Sequence, residues 1–260
     1  MRPDEGLFLY LHPIKMQDQF TRTRMLFGDE ALATLAESRV AVFGVGGVGG
    51  YVVEVLARSG VGALDLIDND RVSITNINRQ IIALTSTVGR FKVDVARERI
   101  LDINPECRVT TYRQFYLPEN ADTIDLSAYD YVVDCIDTVT AKLELIRRCK
   151  RLGVRIISSM GAANKIDPTA FRVADISKTN IDPLAKIIRK KLRREGITDV
   201  KVVFSEEEPM TPLPQPATEA EEEETGQPTP RRSTPVSNAF VPAAAGLVVG
   251  GTVVKDLIGL

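Results

Sequence analysis

Residues 39–50 read RVAVFGVGGVGG, and this stretch decides the fold class. The apolar, β-branched run over 39–44 is typical of a buried strand. The glycines that follow predict a tight turn, and the apolar spacing after it predicts a helix over 48–58. Backbone N–H groups of such a turn can approach a phosphate. We therefore expect a nucleotide-binding strand–turn–helix unit that uses Gly44, Gly46, Gly47 and Gly49. Glycines that serve only helix–sheet packing are the alternative.

Strand and helix patterns alternate outward from this unit. Strands are predicted over 63–67, 107–112, 131–136, 155–160, 170–176 and 200–205. Helices are predicted over 92–103, 141–152 and 183–195. The apolar stretch 239–260 predicts a buried C-terminal helix, because glycines interrupt it too often for a confident membrane span. The succession indicates an α/β fold with a Rossmann-like, mainly parallel sheet, helices on both faces and a smaller C-terminal extension.

Four parts follow from these patterns and from the charge distribution. We expect an N-terminal helical segment at 1–38, an adenylation-type domain at 39–205, a loop at 206–235 and the C-terminal helix at 236–260. The 206–235 segment carries eight acids, two bases and seven prolines, which predicts disorder; an ordered crossover is the alternative. Outside it, 31 basic residues stand against 27 acidic ones, so the body is compatible with an anionic partner.

Composition excludes several kinds of site. The three cysteines, Cys107, Cys135 and Cys149, form no CxxC pair, which argues against a tetrathiolate zinc site and a disulfide framework. They fit a reducing cytoplasm, and we expect them in the core, with a catalytic thiol as the less favoured alternative. His12 is the one histidine of the sequence, so a catalytic triad or a histidine metal cluster is not expected. The start is unlike a signal peptide.

Candidate ligand-binding residues follow the strand ends and helix starts. Asp68 lies 24 residues beyond Gly44, where a carboxylate can accept hydrogen bonds from ribose hydroxyls, although this does not separate ATP from a dinucleotide. Arg79 and Lys92 can neutralise phosphate oxygens, and Asp137 can hold Mg²⁺. Each also has a simpler interpretation as a surface charge, a first-turn residue or a helix N-cap.

Several strings resemble one known family. They are GVGGVGG (44–50), LIDND (66–70), TNINRQ (75–80), GRFK (89–92) and DCIDT (134–138). In this order and spacing they resemble the ubiquitin-activating-enzyme-like adenylyltransferases, which include the molybdopterin- and thiamine-synthesis activating enzymes. The strings RMLFGDEAL (24–32), INPECRV (103–109), KIDPTAFRVADISKTNIDPLAK (165–186), VVFSEEEP (202–209) and SNAFVPAAAGLVVGG (237–251) are most similar to its tRNA threonylcarbamoyladenosine dehydratase branch. The zinc-binding CxxC pairs of the sulfur-carrier-activating relatives are absent from the sequence.

The resemblance implies roles for individual residues. The glycine loop and Asp68 would hold the adenosine. The resemblance assigns ATP phosphate contacts to Asn76, Arg79 and Lys92, with Asp70 and Gln80 as further ATP-binding candidates. Asp137 would bind Mg²⁺ or the α-phosphate region, and Arg22, with Arg24 close by, would reach the neighbouring site of a homodimer. The implied catalytic set is Arg79, Lys92, Asp137 and Arg22.

The implied reaction uses ATP and Mg²⁺, and a monovalent cation is an open further cofactor. The carboxylate of a threonylcarbamoyl group on a tRNA adenosine would be adenylated and then cyclised, releasing AMP and pyrophosphate. Two alternatives stay open: an adenylyltransferase that activates the C-terminus of a small sulfur-carrier protein, and an NAD-dependent oxidoreductase. The second lacks an obvious base for hydride transfer and leaves TNINRQ and Lys92 unexplained.

A basic segment is the candidate RNA-binding surface. Its members are Lys186, Arg189, Lys190, Lys191, Arg193 and Arg194. They share a predicted amphipathic helix, so they can contact phosphates, although a solvated face and an anionic membrane surface are alternatives. We expect a tRNA partner, a sulfur-transfer or carrier protein as an open partner, no DNA, and membrane contact that is at most peripheral.

Overall fold

The computed structural model describes residues 17–213 and 236–260. Its strands are β1 (Arg39–Phe43), β2 (Ala63–Ile67), β3 (Arg108–Tyr112), β4 (Tyr131–Asp134), β5 (Ile156–Ser159), β6 (Phe171–Asp175) and β7 (Lys201–Ser205). Within the described residues these seven strands form one sheet in the order β3-β2-β1-β4-β5-β7-β6. Neighbouring strands are parallel except β6 and β7, which are antiparallel. The predicted α/β fold with a mainly parallel sheet is confirmed.

Helices connect most of the strands. They are α1 (Thr21–Phe27), α2 (Asp29–Glu37), α3 (Gly49–Ser59), α4 (Lys92–Ile103), α5 (Val139–Leu152), α6 (Pro183–Arg194) and α7 (Val241–Leu257). Short 3-10 turns lie at Ile74–Asn76, Thr85–Thr87, Pro118–Thr123, Leu126–Ala128 and Ile176–Lys178. The predicted elements are present, and none of their ends is shifted by more than three residues. The part of the predicted N-terminal helical segment before residue 17, including His12, lies outside the described residues.

Both faces of the sheet are covered, because successive strand residues point to opposite sides. Val40 and Val42 of β1 belong to the apolar cluster that includes α3, α4 and α7. Ala41 and Phe43 belong to the other cluster, which includes α5 and α6. The near-continuous burial along β1 and β2 is what a parallel sheet covered on two faces requires.

The chain order changes direction at β1. From β1 the chain adds β2 and β3 on one side, and then returns to place β4 and β5 on the other. Ligands of open α/β sheets bind outside the carboxyl ends of the strands at such a switch point. The glycine loop follows β1, and Asp137 follows β4, so the fold brings the two predicted ligand-binding segments to the same crevice.

Helix α7 packs closely against α3. A Cβ atom at Gly246 would lie 2.4 Å from the carbonyl oxygen of Val48, and one at Gly250 would lie 2.8 Å from Cβ of Val55. The two glycines are four residues apart and therefore share one helix face. Most of α7 is buried, as predicted for the C-terminal stretch. Among the described helices none is both long and apolar enough to cross a membrane.

The predicted loop 206–235 falls partly inside the described residues. Its stretch 214–235 lies outside them. Before that stretch, the Glu207 carboxylate accepts hydrogen bonds from the backbone N–H groups of Ile166 and Asp167. The Met210 N–H donates to the carbonyl oxygen of Asn164 at 2.7 Å, and the Asn164 N–H donates to that of Val236 at 2.8 Å. Asn164 therefore anchors the chain on both sides of 214–235.

Candidate active site

A cavity of about 620 Å³ opens at the carboxyl ends of the parallel strands. On one side lie the glycine loop, the segment after β2, the start of α4 and the turn at 76–80. On the other lie the turn after β4, residues 159–163 after β5 and Leu184 of α6. Ser237 and Pro242 lie against the first side, because the Asn78 side chain donates to the Ser237 carbonyl oxygen at 3.1 Å and a Cβ at Gly47 would lie 3.2 Å from Cβ of Pro242. The predicted residues that line it are Gly44, Gly46, Gly47, Asp68, Asp70, Asn76, Arg79, Gln80, Lys92 and Asp137.

The glycines of the loop have two different roles: some allow close packing, and others leave the loop backbone open to the cavity. Gly44 has φ +87°, and a Cβ there would lie 2.7 Å from the carbonyl oxygen of Cys135, so the loop and the end of β4 meet too closely for a side chain. A Cβ at Gly49 would lie 1.8 Å from the Gly44 carbonyl oxygen. Gly49 does not line the cavity and serves the packing of α3, whereas Gly46 and Gly47 leave the loop backbone open towards the cavity.

Asp68 connects the glycine loop to the segment after β2. Its Oδ2 accepts a hydrogen bond from the Val45 N–H at 2.7 Å, and its Oδ1 accepts one from the Asp70 N–H at 2.8 Å. Burial raises the pKa of this carboxyl above its ordinary value, and nearby Lys92 partly opposes that shift. The carboxylate is thus held in one orientation at the cavity.

Lys92 is the first residue of α4 and is 5% exposed. A cation at a helix N-terminus meets the positive end of the helix dipole, and its burial costs solvation. Its Nζ lies 2.7 Å from Oδ2 of Asp70, whose side chain is 58% exposed. The ammonium group is therefore held at the cavity by a partner that remains open to solvent, which is a suitable arrangement for an incoming phosphate.

The turn at 76–80 places further polar groups at the cavity. The Arg79 Nη1 donates to the carbonyl oxygen of Thr75 at 3.0 Å and to Oδ1 of Asn78 at 2.8 Å, and its stem lies beside Gly47. Asn76 caps its own turn by accepting a hydrogen bond from the Ser73 N–H. The Oε1 of buried Gln80 has no hydrogen-bond partner among the described residues. These contacts hold the turn against the glycine loop.

Asp137 is exposed at the cavity, and β4 ends three residues before it, at Asp134, instead of at the predicted residue 136. The strand stops at Asp134, because its side-chain Oδ1 accepts the Ile136 N–H at 3.1 Å and turns the chain. The other oxygen of Asp134 accepts from Lys142 at 3.0 Å and from the Ser158 hydroxyl at 2.5 Å. This fully buried network, missed from the sequence, supports the turn that carries Asp137.

Other predicted residues lie away from the cavity. Arg22 is exposed on α1, and Arg24 pairs with Asp18 at 2.8 Å and with Asp29 at 3.0 Å. Five residues of the basic segment are exposed: Lys186, Lys190, Lys191, Arg193 and Arg194. Arg189 is half-buried and donates to the backbone and hydroxyl oxygens of Thr179, so its guanidinium is already engaged within the protein.

The three thiols are all in environments that disfavour the thiolate. Burial raises the pKa of Cys107 to about 11 and those of Cys135 and Cys149 to about 12. Cys107 and Cys149 are buried, whereas Cys135 is half-buried at the cavity. Because a reactive cysteine needs a lowered pKa and access, none of the three is suited to nucleophilic chemistry.

The sequence did not predict several other residues that line the cavity. Gly161, Ala162 and Ala163 follow β5, and the strand-end rule applied to 155–160 could have indicated them. Phe115 and Tyr116 after β3 were missed in the same way. Ser237 returns from a distant part of the chain, and no local pattern signals its position.

The fold and the cavity define a Rossmann-like nucleotide-binding protein whose site offers cations for phosphates. The chain belongs to the ThiF family, whose model matches residues 20–256. This confirms the family that the motifs indicated.

Individual relatives match over nearly the whole chain. A tRNA threonylcarbamoyladenosine dehydratase of Bacillus subtilis is 50% identical over 244 residues, which cover 94% of this chain and 96% of that protein. The crystal structure of the Escherichia coli tRNA N6-threonylcarbamoyladenosine dehydratase in complex with AMP has a TM-score of 0.81 at 36% identity, covering 93% of this chain and 94% of that one. A complex of the same E. coli enzyme with ATP has a TM-score of 0.78, with equal identity and coverage.

Proposed function

We propose that this chain is an ATP-dependent tRNA threonylcarbamoyladenosine dehydratase. The observation that carries the proposal is 50% identity to the B. subtilis enzyme across almost the full length of both chains. The ATP and AMP complexes of the E. coli relative support ATP as the co-substrate. The cavity supplies what that chemistry needs, because a glycine loop, a fixed carboxylate and two cationic side chains surround one space.

In the first step the carboxylate of the threonylcarbamoyl group attacks the α-phosphorus of ATP, and pyrophosphate leaves. Both reactants are anions, so the site must offset their repulsion. Lys92 is preorganised at the start of α4, and Arg79 lies beside the glycine loop. Asp68 fixes the loop through the Val45 N–H and accepts hydrogen bonds from the ribose.

Mg²⁺ fits the donors at the cavity as a phosphate-bound ion. The described residues contain no group of three metal-ligating side chains. Asp137 is an exposed carboxylate at the cavity, and Mg²⁺ is typically held by one or two carboxylates together with substrate phosphates. When bound, the ion supplies charge neutralisation at those phosphates. A monovalent cation stays a prediction to which no residue is assigned.

The second step is ring closure within the activated substrate, with release of AMP. It is intramolecular, so the positioning of the two reacting groups supplies most of the rate and no protein nucleophile is required. The raised pKa values of the three thiols support this route over the sulfur-carrier alternative, which passes through a reactive cysteine. The oxidoreductase alternative can use the glycine loop and Asp68, but it leaves the turn at 76–80 and Lys92 unexplained.

We assign the tRNA contact to the outer face of α6. Ala185, Ile188 and Leu192 are buried, so the helix turns its lysines and arginines outward. The helix starts beside the cavity at Leu184. A row of cations that leads away from the site can follow the phosphates of the RNA strand that presents the modified adenosine. This substrate also fits the cytoplasmic location that we infer from cysteine usage.

We further propose a homodimer in which Arg22 of each subunit reaches the site of the other. Arg22 is exposed and lies outside the cavity of its own chain. Large apolar side chains of Met25 and Leu26 on α1 and of Leu247 on α7 are also exposed. Apolar surface of this kind is typical of a protein interface.

The direct test is to incubate the protein with ATP and tRNA that carries threonylcarbamoyladenosine. The proposal predicts release of AMP and pyrophosphate and a modified nucleoside lighter by one water. ATP with unmodified tRNA is the control. Absence of the lighter nucleoside refutes the dehydratase function, and AMP transfer to a small carrier protein instead supports the first alternative.

The RNA surface has a separate test. Lys190→Glu with Arg194→Glu should weaken tRNA binding and flatten its dependence on salt, because fewer counterions are released. Arg97→Glu with Arg108→Glu, exposed residues near the β3 edge of the sheet, is the matched control. Equal effects of the two pairs would place the RNA contact elsewhere.

A further inference from the structure

A buried ion pair stands behind the cavity wall that follows β5. The side chains of Lys165 and Asp182 are 1% and 0% exposed, and their Nζ and Oδ2 atoms are 3.1 Å apart. Neither residue lines the cavity. Because burying two charges costs solvation, and apolar residues can fill such a space equally well, a pair of this kind is weak evidence for a role in stability. The contacts of the pair with neighbouring segments indicate a second role, which is to position the cavity wall.

The pair fixes the wall segment itself. The Lys165 Nζ donates to the carbonyl oxygen of Gly161 at 2.8 Å, which closes the loop 161–165 on itself. A Cβ at Gly161 would lie 3.3 Å from the Asp182 carboxylate, so the wall and the pair are in close contact. Gly161, Ala162 and Ala163 line the cavity, so the lysine bonds directly to the backbone of the wall.

The Asp182 side chain and the Lys165 backbone join two further segments to this wall. Asp182 accepts the Ala185 N–H at 2.9 Å and thereby caps α6, whose Leu184 lines the cavity. The Lys165 carbonyl oxygen accepts from the Asn238 side chain at 2.8 Å, next to Ser237. The loop after β5 and the start of α6 lie on the β5 side of the switch point, away from the β2 end that carries Asp68 and Asp70.

We propose that Lys165 and Asp182 are positioning residues that hold this wall for the threonylcarbamoyl group of the modified nucleoside and are dispensable for ATP binding. The inference rests on the proposed function. Cations and the fixed carboxylate of Asp68 gather on the ATP side, whereas the wall offers small side chains and backbone, which suit the uncharged part of a compact acyl chain whose carboxylate faces the cations. A displaced wall separates the substrate carboxylate from the α-phosphorus, and misplacement of about 1 Å costs roughly 10²-fold in rate.

The test compares Asp182→Asn with the double variant Lys165→Met plus Asp182→Asn. The single change leaves a buried lysine without its counter-charge and should lower Tm, whereas the double change removes that charge and should recover much of the loss. In the double variant we expect kcat with modified tRNA to stay about 10–100-fold below wild type, while the Kd for ATP changes less than about twofold. Recovery of kcat together with Tm would overturn the proposal and leave the pair a purely structural role.

Two controls keep the outcome interpretable. Lys201→Met breaks the half-buried ion pair with Asp256, outside the active-site cavity, and should leave kcat and the Kd for ATP unchanged. If neither Asp182 variant folds, Lys165→Arg keeps the charge but not the short contact with Gly161, and unchanged kcat in it would overturn the proposal. Wild-type protein that fails to convert modified tRNA would refute the function itself, whereas an active wild type with a fully active double variant would refute only this inference.

Discussion

At the scale of single residues, the site depends on a charged side chain whose burial and position at a helix start both cost free energy. Lys92 is a buried cation at a helix start, and the carboxylate that it pairs with at 2.7 Å, that of Asp70, faces solvent. Such an arrangement has no benefit for the helix. It is explained if the ammonium group acts on an anion that enters the cavity.

Lys92→Met should therefore reduce ATP-dependent turnover about 10²–10³-fold, the usual cost of losing one preorganised charge. Asp137→Asn should have a similar effect. The circular dichroism spectrum should not change in either variant. Arg90→Met, which breaks the exposed pair with Glu98, is the matched control and should keep wild-type turnover. Full activity of Lys92→Met at saturating ATP would show that the phosphate assignment is wrong.

The thiols give a prediction for alkaline pH. An unfolded cysteine ionises near pH 8.5, whereas burial keeps these three protonated up to about pH 11–12. The unfolded state therefore binds fewer protons above pH 8.5, and the free energy of unfolding must fall as pH rises. The protein should lose stability between pH 8.5 and 10.5 more steeply than a Cys107→Ser, Cys135→Ala, Cys149→Ala variant. Urea unfolding at several pH values measures this, and parallel profiles would contradict the raised pKa values.

That same triple variant should still convert the modified tRNA with wild-type release of AMP. Ring closure uses a nucleophile of the substrate and no protein thiol. The measurement is the yield of the lighter nucleoside per AMP released. Pyrophosphate release without conversion would indicate a cysteine step after adenylation and favour the carrier-activating alternative.

Much of the phosphate side of the cavity was predictable at this scale. Strand ends and helix starts of a parallel sheet share one edge, and that rule placed Asp68, Arg79 and Lys92 correctly at the cavity. The Lys165–Asp182 pair was not predictable, because its partners come together only through the return of β6 and α6 to the sheet. The roles of Asp68, Arg79 and Lys92 in ATP binding and catalysis remain predictions.

At the scale of secondary structure, the sequence predicted the elements and misjudged some ends. The apolar pattern continues through Cys135 and Ile136, so the strand was predicted over 131–136. It ends at Asp134, because that side chain bonds the backbone two residues later, which hydrophobic spacing cannot reveal. The contact between α3 and α7 could not be predicted either, because the sequence does not show which helix the glycines of α7 face.

That contact is tested by alanine substitutions in α7. Gly246→Ala should lower stability by about 1–3 kcal/mol, because the new methyl group overlaps the Val48 carbonyl oxygen and Tyr51. Gly251→Ala is the matched control: nothing lies within 4 Å of its added Cβ, and the better helix propensity should raise stability by roughly 0.5–1 kcal/mol. Thermal unfolding of both variants measures the difference. A neutral Gly246→Ala would mean that the two helices separate easily.

At the scale of the whole molecule, the homodimer hypothesis predicts complementation between subunits. Arg22→Ala and Asp137→Asn are each expected to be inactive, one lacking the arginine that is donated and the other lacking the carboxylate in the site that receives it. Mixing them under conditions of subunit exchange should restore part of the turnover, because mixed dimers contain one intact site. Exchange shown by mass spectrometry without any recovery would refute an arginine that acts in trans.

The packing of α7 on α3 has a consequence for the order of folding. Gly246 meets Val48 across 198 residues of chain, and Val48 precedes the helix that begins at the nucleotide loop. At about 5–20 residues per second, the ribosome needs roughly 10–40 s to make that intervening stretch. During this time the apolar face of α3 that α7 later covers is open, and the nucleotide loop lacks one of its supports. A nascent chain that ends before α7 should need a chaperone, or bound nucleotide, to remain free of aggregation.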